Sequence, residues 1–149
     1  QLYDCRISLE QLSVADACLH ATETQFQEME IMLEQAERLV AAKPTRLNCF
    51  RQLDLDYRFH RLLAQSSGNP WLVLLLDQVF DKMQLLRIQT TKNNPLVLDI
   101  RMEHRAIYDA VRSRNPQIAK EAITSHLNAS KERVIREMEQ IQLESKIGQ

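Results

Sequence analysis

Four residues of this chain have the side chains and the spacing of a single metal site: Asp56, His60, His104 and His126. Asp56 and His60 are four residues apart, so on a helix their side chains point in the same direction. His104 and His126 each occupy a place in a helical apolar stripe where Leu or Ile is expected. Three imidazoles and a carboxylate directed into a helical core indicate a bound divalent cation.

The free-energy cost of burying polar groups supports a metal site. Spacing alone still leaves simpler alternatives open. A buried polar group without a partner costs roughly 2–7 kcal/mol, and a lone buried carboxylate costs more. One divalent cation would satisfy all four side chains, and their nitrogen and oxygen atoms suit Zn, Ni, Mn or Fe(II). A single core histidine, however, commonly bonds to a backbone carbonyl, and an i,i+4 Asp–His pair is often only local. Asp56 is also open to pairing with a basic residue, namely Arg6, Arg58 or Arg101.

Composition predicts one all-α domain. The chain has 149 residues, 44% of them hydrophobic, and only two are glycine; few glycines and few aromatics favour helix over sheet. No run of about 20 apolar residues occurs that would span a membrane. The net charge is −1, and the basic residues are dispersed, which argues against nucleic-acid binding by this segment itself. The odd number of cysteines, three without a CxxC pair, is typical of a reducing cytoplasm.

Three Asn-Pro pairs indicate where helices begin, because Asn is a good N-cap and Pro a good first helical residue. They are Asn69-Pro70, Asn94-Pro95 and Asn115-Pro116. With the apolar periodicity, they predict six helices joined by short polar links, so that neighbours pack antiparallel. The predicted ranges are 8–21, 23–42, 46–66, 70–90, 95–113, and 116 to beyond 138. The fifth helix carries its stripe on Leu96, Ile100, His104, Ile107 and Val111.

Catalytic motifs give little support to an enzyme. The sequence has no nucleophile elbow, no HExxH and no glycine-rich phosphate loop. Glu103 is the one conceivable general base beside the histidines. Neighbouring helical residues diverge by about 100°, so Glu103 is expected to point away from His104 and the site.

Several short motifs, in their order and spacing, resemble the C-terminal effector-binding domain of the FadR subfamily of GntR-type bacterial transcription regulators. The resemblance covers nearly the whole chain. It rests on Tyr3-Asp4-Cys5-Arg6 with Leu9-Glu10, on Asp56-Tyr57-Arg58-Phe59-His60, on Ser67-Gly68-Asn69, on Glu103-His104 with Ile107 and Ala110, and on Ala119 with His126-Leu127. Asp4 departs from the usual Glu.

The resemblance implies an antiparallel bundle of six or seven helices in which Asp56, His60, His104 and His126 bind a divalent metal. A small carboxylate effector, such as a hydroxy acid or sugar acid, would bind at open positions of the ion. Arg6 is the first candidate to hold that effector, and Arg58 and Arg101 are weaker candidates. The ion would be Zn, Ni or Mn.

At the level of the whole protein, the resemblance implies that residues 1–149 are the sensor half of a longer cytoplasmic regulator, expected to be a homodimer. DNA would be bound only by an N-terminal winged helix-turn-helix that this chain lacks. The main alternative is a metal-dependent hydrolase or lyase that uses the same four ligands. A third possibility is a metal-free bundle in which the histidines are structural.

Overall fold

Six α-helices and one 3₁₀ turn make up the described part of the chain, in a computed structural model that covers residues 1–43, 45–98 and 100–147, without the side chain of Ile147. No strand occurs within these ranges, which confirms the predicted all-α class. In chain order, the helices are α1 (Leu2–His20), α2 (Glu23–Ala41), α3 (Arg46–Ser66), α4 (Pro70–Asn93), α5 (Arg101–Arg112) and α6 (Pro116–Ile147), and the 3₁₀ turn is Pro95–Leu98.

The first and last long helices, α1 and α6, lie side by side and run antiparallel. Tyr3 hydrogen-bonds Ser130, and Gln11 further along α1 bonds Thr124, which lies earlier in α6. Five of the helices share one apolar core, which includes Val14 and Ala17 of α1, Phe26 and Met29 of α2, Phe59 and Leu63 of α3, Ile107 and Val111 of α5, and Ile123 and Leu127 of α6. No described helix is long and apolar enough to cross a membrane.

Side-chain caps begin three helices at the predicted residues Asn69, Asn115 and Thr45. The side chain of Asn69 accepts the backbone N–H of Trp71, and Asn115 does the same for the first turn of α6. Thr45 caps α3 through the N–H of Asn48. Gly68, just beyond the end of α3, has a φ of 73°, a conformation that glycine adopts without a steric penalty.

The predicted helix 95–113 is wrong in its first turn. Asn94 does accept the N–H of Leu96, but the turn that follows is the 3₁₀ segment, and α5 begins only at Arg101. Leu96, which the predicted stripe placed in the core, is 74% exposed, whereas Val97 and Leu98 are buried. The tighter turn buries adjacent apolar residues that a continuous helix would spread around its circumference. Asp99 lies outside the described residues.

Helix α1 begins at Leu2, six residues before the predicted start at residue 8. The reason is that its earliest turns already contribute to the interior. Tyr3, Arg6 and Glu10 are all buried and share one side of the helix. A stripe that contains Arg and Glu is not apolar, so periodicity of hydrophobic residues did not reveal it.

Truncation of Leu63 to alanine should destabilise the domain by about 2–5 kcal/mol, because Leu63 is fully buried in the shared core and its loss leaves a cavity. Urea unfolding followed by circular dichroism measures the change. Leu19→Ala is the matched control, since Leu19 is 65% exposed and should change the stability by less than about 0.5 kcal/mol. Equal effects of the two substitutions would contradict this placement of the core.

Candidate metal centre

Asp56, His60, His104 and His126 meet in the interior, although they come from three helices. Asp56 and His60 lie one turn apart on α3, His104 lies on α5, and His126 lies on α6. Their exposed fractions are 3%, 0%, 5% and 2%. One potential ligand atom from each residue can be chosen so that all four lie within 4.8 Å of one another. The structure therefore brings together the four residues that the sequence pattern selected.

The separations between the ligand atoms suit a single ion. Nε2 of His60 is 3.2 Å from Nε2 of His126, and Oδ1 of Asp56 is 3.4 Å from Nε2 of His104 and 3.7 Å from Nε2 of His60. Two ligand atoms that each lie about 2.1 Å from one ion are roughly 3.0–3.7 Å apart at ligand angles of about 90–125°. Oδ1 of Asp56 and Nε2 of His104 have no hydrogen-bond partner in the described structure. A divalent cation would satisfy both atoms.

Two carboxylates bond the Nδ1 atoms of two imidazoles, on the side of each ring opposite Nε2. Oε2 of Glu10 bonds Nδ1 of His60 in a short contact, and Oε2 of Glu103 bonds Nδ1 of His126 at 2.7 Å. A neutral imidazole that donates through Nδ1 carries a lone pair on Nε2. With the proton on Nδ1, the facing Nε2 atoms of His60 and His126 would both offer lone pairs to a shared cation.

The expectation that Glu103 points away from the site is wrong. Its backbone does direct the side chain away from His104, its neighbour on α5, but that direction leads to His126 on α6. Arg133, also on α6, donates to both carboxylate oxygens of Glu103 at 2.7 and 2.8 Å. The angle between adjacent residues describes one helix only, so it gives no information about a neighbouring helix.

The two buried carboxylates at the cluster, Glu10 and Asp56, are held in their ionised form. Burial alone would raise the pKa of Glu10, but the charges and hydrogen bonds of His60 and Arg6 outweigh it and lower the pKa to about 2. Burial opposes ionisation of Asp56 as well, yet Arg87 and the nearby histidines keep its pKa well below the usual range. Asp56 can therefore serve as an anionic ligand at neutral pH.

Two of the histidines are held neutral by the same interior. Burial disfavours the imidazolium form and lowers the pKa of His126 to about 3, although its hydrogen bond to Glu103 acts in the opposite direction. Burial also lowers the pKa of His104, against the effect of Asp56. Metal ligation requires neutral imidazole and ionised carboxylate, and these are the forms that the interior favours.

Arg87 and Glu10 are site residues that the sequence analysis missed. Arg87 on α4 makes a short contact through Nη1 with Oδ2 of Asp56, a pairing that the sequence analysis did not consider. A signal for Arg87 was present, because it continues the buried stripe of α4 formed by Leu76, Phe80 and Met83. Glu10 lies four residues after Arg6, a spacing that brings two side chains together on a helix.

Arg6 is 1% exposed and lies within this network. Its Nε donates to Oε1 of Glu10 at 2.6 Å, and its guanidinium carbon lies 4.8 Å from the centre of the Phe80 ring. Its two terminal amino groups have no hydrogen-bond partner among the described residues. A buried guanidinium with two unpaired amino groups has the geometry to bind a carboxylate with two parallel hydrogen bonds.

Arg58 and Arg101 lie in different surroundings. Arg58 is half-exposed and forms a long ion pair with Asp54 on the outer side of α3, at 3.7 Å. Arg101 lines a cavity of about 30 Å³ together with Asp56 and His104. That volume is room for about one water molecule. Effector binding by either arginine stays a prediction.

Glu103→Ala should weaken divalent-metal binding by about 10- to 100-fold, because it removes the group that orients His126. Competition titration with a chromogenic zinc chelator measures the affinity. Glu121→Ala provides the control, since Glu121 is an exposed residue of the same helix as His126. Unchanged zinc affinity in a folded Glu103→Ala variant would mean that the Glu103–His126 contact does not support ligation.

Comparison with known proteins finds a match over most of this helical bundle. The family model described as FCD domain matches residues 1–129. The uncharacterized HTH-type transcriptional regulator YdhC of Bacillus subtilis is 31% identical over 128 residues, which are 86% of this chain and 56% of that protein. The HTH-type transcriptional repressor NanR of Escherichia coli is 31% identical over 128 residues, which are 83% of this chain and 46% of that protein.

A solved structure has the same fold. The protein described as Streptococcus agalactiae GntR superposes with a TM-score of 0.70 at 28% identity, over 86% of this chain and 55% of that chain. The chain thus spans about half the length of the relatives that it matches. The two sequence relatives named are transcriptional regulators, not enzymes.

Proposed function

We propose, since this chain belongs to the FCD domain family, that it is the ligand-sensing domain of a GntR-type transcriptional regulator. In this proposal, Asp56, His60, His104 and His126 bind one divalent ion, and a small organic acid is the effector. DNA binding belongs to a helix-turn-helix part of the regulator outside this chain, as the names of the relatives suggest. A homodimer is the assembly that we expect.

The observation that carries the proposal is the set of unsatisfied polar atoms at the meeting point of α3, α5 and α6. Oδ1 of Asp56 and Nε2 of His104 are buried without a hydrogen bond in the described structure. Each such atom costs about 1–3 kcal/mol when it has no partner. A site that bears this cost at two of its four converging residues is better explained by a ligand than by structural histidines.

When bound, the ion would supply positive charge and open coordination positions for a carboxylate. The protein's own contribution is to orient the ligand atoms and to exclude water. Glu10 and Glu103 fix the rings of His60 and His126 from behind. Arg6 adds two unpaired amino groups in the same buried network, which suit the carboxylate of an organic acid.

The location of the site favours transmission of a binding signal. Besides the three helices that carry the four proposed ligands, α1 contributes Glu10 and α4 contributes Arg87, so five helices touch the cluster. An effector that binds better to one arrangement of these helices shifts the population toward it. The affinity for DNA then changes only as far as this difference in effector affinity allows.

The alternative of a metal-dependent hydrolase or lyase lacks a suitable base among the described residues at the cluster. Glu10 and Glu103 are the carboxylates nearest to the imidazoles, and both are bonded to histidine and arginine. The pKa of each is about 2, because those partners outweigh the effect of burial. A general base with so low a pKa accepts protons poorly at neutral pH.

We expect the purified chain to bind close to one divalent ion. His104→Ala should abolish most of this binding, because it removes one of four converging ligand atoms. Metal analysis by inductively coupled plasma mass spectrometry after incubation with Zn, Ni or Mn and dialysis measures the content. His20→Ala is the matched control, since His20 is an exposed histidine on α1. Protein that stays metal-free with all three ions would contradict the site.

Arg6→Ala should weaken the binding of an organic acid by at least about tenfold, because a charge-assisted pair of hydrogen bonds is lost. Isothermal titration of the metal-loaded chain with hydroxy acids and sugar acids identifies the binder and measures the change. Arg38→Ala, at an exposed arginine of α2, controls for loss of positive charge. Equal affinity in unaltered protein and Arg6→Ala, with both folded by circular dichroism, would place the carboxylate elsewhere.

A further inference from the structure

At the four proposed ligands, the number of negatively charged carboxylates equals the number of arginines paired with them, before any ion binds. Each of the three carboxylates at the cluster forms an ion pair with its own arginine: Asp56 with Arg87, Glu10 with Arg6, and Glu103 with Arg133. The negative charges of these three carboxylates are therefore already matched by three arginines.

The pairs are close and mostly withdrawn from solvent. Nε of Arg6 lies 2.6 Å from Glu10, and both side chains are 1% exposed. The Asp56–Arg87 pair is also buried. The outermost pair has Arg133 on both oxygens of Glu103, with about a quarter of each side chain exposed.

A divalent ion added to this arrangement would leave its two positive charges uncompensated. Ligation through Nε2 leaves each histidine neutral, because its remaining proton is on Nδ1. Asp56 is the anionic ligand, but its charge is already matched by Arg87. Excess charge in a buried, weakly polar environment is costly unless an opposite charge accompanies it.

We propose that the effector of this site is a dianion, a small organic acid that brings two negative charges to the ion and the unpaired amino groups of Arg6. This inference rests on the proposed function and specifies the class of its ligand. A dicarboxylate meets the requirement. A monocarboxylate without a second ionisable group leaves one positive charge uncompensated.

The direct test compares dianions with monoanions of nearly the same size and shape. The probes are oxalate against oxamate, malonate against malonamate, and succinate against succinamate. Protein is loaded to one zinc per chain, dialysed and titrated by calorimetry, and its zinc content is measured again after each titration. In at least one pair, the dianion should bind about tenfold or more tightly than its monoamide, since one unit charge is lost close to the ion.

A set of charge variants tests whether the matched ion pairs set this preference. Arg133→Gln removes one positive charge at the outermost pair and should narrow the ratio between dianion and monoamide affinities. Glu103→Gln removes a negative charge, keeps an acceptor for His126 and should widen the ratio. The double variant restores the charge balance and should return the ratio close to that of the unaltered protein.

The possible failures are distinguishable. Equal binding of dianion and monoamide in every pair, or no binding of any of the three dianions, overturns the dianion proposal. A ratio that shifts in the same direction in Arg133→Gln and Glu103→Gln also overturns it, since a common structural disturbance would then explain both. The sensor function itself fails only if the chain binds no metal or the wider panel of organic acids contains no binder.

Discussion

A buried polar atom must find a partner, and this requirement governs the centre of the bundle. Asp56 and three histidines come from three helices and leave Oδ1 of Asp56 and Nε2 of His104 without a hydrogen bond in the described structure. The contacts of the other two histidines with carboxylates depend on the same requirement. Glu10 and Glu103 bond the outer nitrogens of His60 and His126, so that the inner nitrogens face each other.

The carboxylates that orient the imidazoles are themselves stabilised by arginines, which produces a layered site. Glu10 bonds Arg6, and Glu103 bonds Arg133 through both of its oxygens. These contacts explain how a core can contain ionised groups and remain folded, because each buried charge has an opposite charge beside it. Because these carboxylates are already paired, the described part of the protein has no further negative charge at the cluster to balance the two positive charges of a divalent ion. This is the basis for expecting an anionic effector.

Much of the fold could be predicted because its signals are local. The caps at Thr45, Asn69 and Asn115 act within one turn, and the predicted starts of α3, α4 and α6 agree with the structure. The first turn of the predicted fifth helix was wrong, because burial of Val97 and Leu98 against the rest of the bundle overrides the local stripe. The start of α1 was missed because its buried side carries charged residues.

For the site, the pattern of residue types along the chain was enough to show which residues were unusual. Asp56 and His60 at helical spacing, and His104 and His126 in apolar stripes, are visible without a structure because a polar residue in a core stripe is costly. Their partners became visible only when the helices were packed together: Arg87 for Asp56, Glu10 for His60 and Glu103 for His126. The physical reason is that periodicity describes the faces of one helix, whereas an ion pair between helices depends on how the faces meet.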